Sequence, residues 1–306
     1  MEPLTSALLT DHYELTMVAS ALESGVAHRR AVFEVFARRL PAGRAYGVVA
    51  GIDRVLDAVS RFRFDDATID HLVRAGVVTD GEMTDWLREY RFSGDITGYA
   101  EGELFFPYSP VLTVTGSFAE CVMLETVMLS VLNHDCAVAS AAARMADAAG
   151  GRLLIEGGSR RTDPESAVAA ARAGFVGGFD TTSNLEAGRR HGIPTGGTTA
   201  HAFVLAHANE EEAFEAKLSA LRGKRSKRAV KKETGDETVK AGTSDMRRAA
   251  AKAAKERARG VREFTVTDTV EEPQKDWGTE TIVYEGPPAR GEVVANVAMR
   301  SEEHTS

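Results

Sequence analysis

The chain has 306 residues, enough for one large or two ordinary domains around a sizeable core. Hydrophobic content of 43%, charged content of 27% and a net charge of −8 are those of a soluble globular protein, and argue against nucleic acid as the main partner of the whole chain. Two cysteines, Cys121 and Cys136, are too few for a disulfide framework and read as buried free thiols of a reducing cytoplasm; Met1–Ala7 has no basic leader, and no run of ~18 uncharged apolar residues predicts a membrane span.

In chain order, Asp11 followed by Glu14 forms a capping-box pattern. Leu15, Val18, Ala19 and Leu22 then recur at helical spacing, predicting an amphipathic helix that ends near Gly25. Ala31–Arg38 alternates as a strand with Phe33 or Phe36 on the core side, and Ala45–Val59 reads as a short strand or loop followed by a helix. Two further helices are predicted at Asp66–Ala75 and Gly81–Tyr90. The glycine-punctuated Phe92–Leu104 reads as strand–turn–strand, and Val111–Phe118 as another strand. Glu120–Leu132 is apolar almost all round and predicts a buried helix. Asn133-His134-Asp135 follows it, and alanine-rich Cys136–Ala149 makes the next helix.

The stretch from Leu153 to Phe203 carries the chemistry. Three apolar or glycine-rich runs (Leu153–Ile155, Phe175–Phe179 and Ile193–Ala200) are separated by helix-like segments, the first opened by Asp163-Pro164-Glu165. Each run ends in polar residues: Ser159-Arg160-Arg161, then Asp180-Thr181-Thr182-Ser183-Asn184, then Thr198-Thr199-Ala200-His201. Polar groups gathered at the C-terminal ends of strands, with an arginine pair among them, suit an anionic, phosphate-bearing substrate. The residues alone leave two uses open for each group. Arg160 and Arg161 either pair with Glu156 or Asp163 or bind a carboxylate and phosphate, and Thr198 and Thr199 either cap a helix or donate to a ligand. His201 is either structural or catalytic. No Walker loop, GxGxxG, HExxH, CxxC pair or GxSxG competes with this stretch.

The segments LLTDHYELTM, GSRRT and GFDTTSNLEAGRRHGIPTGGTTAHAF resemble those of nicotinate phosphoribosyltransferases, over roughly residues 1–216. The resemblance implies an α/β architecture: an N-terminal α+β domain (1–132), then an irregular, truncated, TIM-like α/β barrel of the type II phosphoribosyltransferase kind, begun by 133–216. It also implies formation of nicotinate mononucleotide from nicotinate and 5-phosphoribosyl diphosphate, coupled to ATP with Mg²⁺, in a cytoplasmic homodimer. His201 would accept the phosphoryl group. Tyr13 would stack on the pyridine ring across the dimer interface, and Arg160, Arg161, Asp180, Ser183, Asn184, Thr198 and Thr199 would bind substrate. No protein metal ligands are implied.

The likeness stops where the composition changes. Before Lys217 there is no lysine, and between Lys217 and Arg262 there are 16 Lys/Arg against five Asp/Glu. Residues 217–306 are expected to be a basic tail of other origin, fused or frame-shifted, with a helical stretch at Met246–Arg259 and a terminal RSEEHTS that resembles a translated sequencing adapter. Neither an aspartate-rich ribose-binding strand end nor a glycine-rich 5′-phosphate loop follows, so an incomplete, inactive copy is expected. Two other readings remain: a related phosphoribosyltransferase of nicotinamide or quinolinate, and a non-catalytic binding protein whose basic tail contacts nucleic acid.

Overall fold

The computed structural model describes residues 7–197, 199–233 and 293–299. The first helix, α1 (His12–Glu23), starts as its sequence predicts: Glu14 turns back to accept the backbone N–H of Asp11 at 3.2 Å. Strand β1 (Arg30–Ala37) alternates buried and half-buried positions, and it is Phe33 that enters the core. Phe36, three residues on and so on the other face, stacks against Tyr108 with ring centroids 5.7 Å apart. After β2 (Gly47–Val48) come three helices, α2 (Ile52–Ser60), α3 (Asp66–Arg74) and α4 (Glu82–Glu89).

The strand–turn–strand expected at 92–104 is not a hairpin. Strand β3 (Asp95–Gly98) pairs antiparallel with β5 (Leu112–Ser117), whereas β4 (Leu104–Phe105) pairs with β2. β1 lies against β5, from Arg30 opposite Ser117 to Val35 opposite Leu112. On its other edge β1 is joined, parallel, by β8 (Val293–Met299), so the sheet order is β3-β5-β1-β8. Part of the segment expected to stand apart from the fold thus lies in the N-terminal sheet. The helix expected at Met246–Arg259 and the terminal RSEEHTS lie outside the described residues.

The buried helix is longer than its sequence predicts. A short α5 (Phe118–Val122) leads into α6 (Glu125–Ala149), which runs unbroken through Asn133-His134-Asp135. Asn and Asp weaken a helix by only tenths of a kcal/mol, and no Pro or Gly interrupts 118–149, so burial of Leu132, Cys136 and Ala139 carries the helix through. The stretch Phe118–Ala149, although broken by charged residues, is long and apolar enough to cross a membrane by length and composition only. It is also packed inside the protein, under the sheet, with Met123, Leu124, Met128 and Leu132 fully buried. Burial also pushes the free thiols of Cys121 and Cys136 up to about 12.

The second half begins with β6 (Ile155–Glu156), α7 (Pro164–Val176), β7 (Thr181–Thr182) and α8 (Leu185–His191). β6 and β7 are parallel, with Ile155 beside Thr181 and Glu156 beside Thr182. Thr195 extends them through a single parallel bridge to Thr182. The strand expected at Phe175–Phe179 is instead the end of α7 and the turn after it: helix hydrogen bonding set up by the Asp163 cap continues until Gly177 and Gly178. Among the described residues the third strand, expected at Ile193–Ala200, is reduced to that one bridge. Beyond it, α9 (His201–Leu205) stops, and Asn209 accepts the N–H of Glu212 at 2.9 Å to start a separate helix, α10 (Glu210–Glu233), which carries the first part of the basic segment.

Candidate active site

Two strand ends meet where the sequence gathers its polar residues. The Glu156 carboxylate, at the end of β6, accepts the hydroxyl of buried Thr182 at 2.6 Å and also the N–H of Gly158. Its carbonyl accepts the N–H of Ser183 at 2.8 Å. One residue further, Asn184 caps α8 by accepting the N–H of Ala187 at 2.9 Å, and its Nδ2 donates to Ser159 Oγ at 3.1 Å. The backbone N–H of Gly196 donates to the carbonyl of Thr182 at 2.9 Å, bringing the chain that leads to His201 alongside. The result is a floor of hydroxyls, an amide and backbone donors, with Arg160 and Arg161 exposed beside it.

The ion pairs open to those arginines are taken up otherwise. Glu156 is held by Thr182 and Gly158, and Asp163 caps α7 by accepting from Glu165 N at 3.0 Å and Ser166 N at 3.2 Å. Asn184 is brought to Ser159, while Ser183 meets the strand end through its N–H to the Glu156 carbonyl. Asp180 is not brought there: its Oδ2 accepts the N–H of Leu154 at 2.9 Å, before β6 begins, so it stands at the opposite end of the two-residue strands. Thr199 is half-buried, His201 is exposed at the first position of α9, and Thr198 lies outside the described residues. Glu156 and Thr182, which tie the ends together, were not among the predicted site residues. The only sequence signal for them is their place at the close of each strand.

Tyr13 belongs to a second polar group, between α1 and the start of α6. Its phenol donates to Glu125 Oε1 at 3.0 Å; burial first, and the Glu125 carboxylate second, push its pKa up. Glu14, fully buried, accepts the N–H of Thr126 at 2.8 Å as well as that of Asp11 and the Thr10 hydroxyl. Burial raises its carboxyl from 4.5 to about 7. Around this group Leu8, Leu9, Tyr13 and Met17 are solvent-exposed.

A family model for the nicotinate phosphoribosyltransferase N-terminal domain matches residues 8–133. Nicotinate phosphoribosyltransferase pncB1 of Mycobacterium tuberculosis is 58% identical over 224 residues, 71% of this chain and 49% of that protein. The Bacillus subtilis nicotinate phosphoribosyltransferase is 34% identical, over 68% of this chain and 43% of its own length. The crystal structure of human nicotinic acid phosphoribosyltransferase superposes with a TM-score of 0.60 at 35% identity, covering 64% of this chain and 40% of that one. A nicotinate-nucleotide pyrophosphorylase from Pyrococcus furiosus, at 24% identity and a TM-score of 0.55, shares the mixed α/β fold. The chain spans about half the length of the curated relatives it matches. Over the part of its length that these comparisons cover, the chain belongs to the nicotinate phosphoribosyltransferase family.

Proposed function

We propose that the chain is the first half of a nicotinate phosphoribosyltransferase, an N-terminal α+β domain (1–132) followed by the opening strand–helix units of a type II barrel (133–216), with 217–306 as an appended basic segment. The observation that carries the reading is the contact of Asn184 with Ser159 across the ends of β6 and β7, beside the arginine pair. A floor of neutral donors next to two guanidinium forks fits a flat ring bearing one carboxylate, together with a phosphorylated sugar. Leu153, just before β6, and Ile155 on it are solvent-exposed, as a barrel wall is when later strands are missing.

In this reading the nitrogen of nicotinate attacks C1 of 5-phosphoribosyl diphosphate. The C1–O bond breaks through an oxocarbenium-like state, and its electron pair leaves with diphosphate. Arg160 and Arg161 hold the carboxylate and phosphate charges, while Ser183, Asn184 and Thr199 donate to the ligand and fix the angle of attack. Thr198 completes the proposed binding set; Asp180, tied to Leu154 at the other end of β6 and β7, is left out of it. A ring nitrogen of His201 attacks the γ-phosphorus of ATP and releases ADP; hydrolysis of the phosphohistidine drives the sequence forward. Mg²⁺ enters this reading with the diphosphate of the substrate, whose charge it would help to neutralise. The exposed apolar side chains around Tyr13 support a homodimer in which that ring reaches the neighbouring site, and the proposed reaction, a step of NAD salvage, supports a cytoplasmic location.

The test is to incubate the purified chain with γ-labelled ATP, with and without nicotinate and 5-phosphoribosyl diphosphate. The expected result is acid-labile label on the wild type, none on His201→Ala, and no nicotinate mononucleotide from this half alone. A folded chain that takes no label, or label that survives His201→Ala, overturns the role of His201. Turnover by this chain overturns the reading of it as an incomplete enzyme.

A further inference from the structure

Away from the strand ends, the described residues hold a charged cluster that the proposed chemistry leaves unused. At its centre is Arg172 on α7, only 9% exposed. Both arms of its guanidinium meet Glu101, Nη1 to Oε1 at 2.8 Å and Nη2 to Oε2 at 2.7 Å, and Nη2 also reaches Asp53 Oδ2 at 2.5 Å. Glu101 lies between β3 and β4, and its Oε1 also accepts the N–H of Gly51 at 2.7 Å, where α2 begins. Asp53 is in the first turn of α2. The next residue, Arg54, pairs at 2.7 Å with Asp135, buried in the middle of α6, and Asp135 also meets Nδ1 of His134 at 2.7 Å.

A guanidinium held by both arms fixes orientation as well as distance. A half-buried ion pair contributes little net stability, but any shifted arrangement leaves a buried charge without its partner, so it defines register strongly. Here it fixes α7 against α2 and the β3–β4 loop. Two residues after Arg172 the helix reaches Gly174, where an added Cβ would stand 3.8 Å from Cγ of Glu156. Three residues further, Gly177 presses on α6 so closely that a Cβ there would lie 2.6 Å from the carbonyl oxygen of Ala139. α7 is therefore held at its inner end from one side by the charge cluster and from the other by α6, and it backs the carboxylate that ties β6 to β7.

We propose that Arg172 is a positioning residue for the candidate site: by locking α7 to the N-terminal half through Glu101 and Asp53, it sets where Glu156 stands and so the spacing of the two strand ends. The consequence for substrate rests on the function proposed above; the positioning itself is tested without substrate. Amide hydrogen exchange of the full chain is read at Gly158, Ser183 and Asn184, whose N–H groups Glu156 and Thr182 hold, with the N–H of Val111, bonded to Val35 at 2.8 Å in the N-terminal sheet, as reference. In Arg172→Gln the three strand-end amides are expected to exchange about tenfold faster, in Arg172→Lys less, with Val111 unchanged. Unchanged strand-end rates in the folded variant, or a rise shared equally by Val111, overturn the proposal.

Should Arg172→Gln not fold, Asp53→Asn removes the exposed carboxylate alone. A smaller rise confined to the same three amides supports the proposal, and no rise overturns it. Failure of the wild type to bind nicotinate in a calorimetric titration would strike down the proposed function and leave the exchange result standing.

Discussion

The phenol of Tyr13 and the carboxylate of Glu125 meet at 3.0 Å across 112 residues of sequence, joining the first turn of α1 to the first turn of α6. The adjacent side chain, Glu14, makes the parallel connection to the N–H of Thr126. The first pair is exposed and the second holds a fully buried carboxylate, so they differ in consequence. Tyr13→Phe is expected to lower stability by about 1 kcal/mol or less, as the loss of one water-accessible hydrogen bond does. In a Glu125→Leu background the same change is expected to have no effect, because the acceptor is already gone. Chemical denaturation midpoints of the four chains test this; equal effects of Tyr13→Phe in both backgrounds would refute the pairing.

Glu14 makes stability depend on pH. Burial raises its carboxyl from 4.5 to about 7, so between those values the folded chain holds a proton that the unfolded chain has lost. Stability is then highest below the unfolded value and falls as pH rises towards 7, by on the order of 3 kcal/mol over the window. Glu14→Gln keeps an acceptor for Thr126 and has no proton to lose. The difference in melting behaviour between the two chains should therefore grow in favour of the variant from pH 4.5 to 7 and level off above. A difference that is flat with pH would show that the Glu14 carboxyl titrates normally.

Sequence and structure agree where a local rule and burial point the same way. The Asp11–Glu14 box, the Asp163-Pro164 start and the alternation around Phe33 were legible because capping and periodicity are local, and tertiary packing reinforced them. They part where packing overrode a local signal: Asn133-His134-Asp135 looked like a break, yet Asp135 finds Arg54 inside the protein and the helix continues. In the site, the rhythm of strand and helix pointed to the polar run 180–184, and Ser183 and Asn184 stand just after a strand, β7. Asp180 was misplaced because a two-residue strand is enough to put neighbours in sequence at opposite ends. Glu156 was missed because its meaning lies in Thr182, 26 residues away, and no spacing rule reaches that far.

That Glu156–Thr182 bond predicts a graded response. Thr182 is fully buried, so Glu156→Ala leaves a hydroxyl without its 2.6 Å acceptor and frees the N–H of Gly158. The cost is expected to be about 1–3 kcal/mol, whereas Glu156→Gln, which retains a carbonyl acceptor, should lose about 1 kcal/mol or less. Urea denaturation of both variants measures the contrast. Equal losses would mean that charge, and not the hydrogen bonds, holds the strand ends together.

Gly177 offers the sharpest steric test of how α7 sits. Its φ of −73° is ordinary for any residue, so no backbone strain argues for glycine there. Space does: a Cβ would stand 2.6 Å from both the carbonyl oxygen of Ala139 and Cβ of Ala142, on the buried face of α6. Neither atom belongs to a flexible side chain, so the helices themselves must part. Gly177→Ala is expected to cost about 1–3 kcal/mol by overpacking, against the small gain that the same change brings at an unconstrained helix position. It should also carry α7 away from Glu101, weakening the Arg172 contacts, so a Gly177→Ala/Arg172→Gln double variant should lose less than the sum of the two single losses. Additive losses would mean that the tight approach to α6 and the charge cluster hold α7 independently.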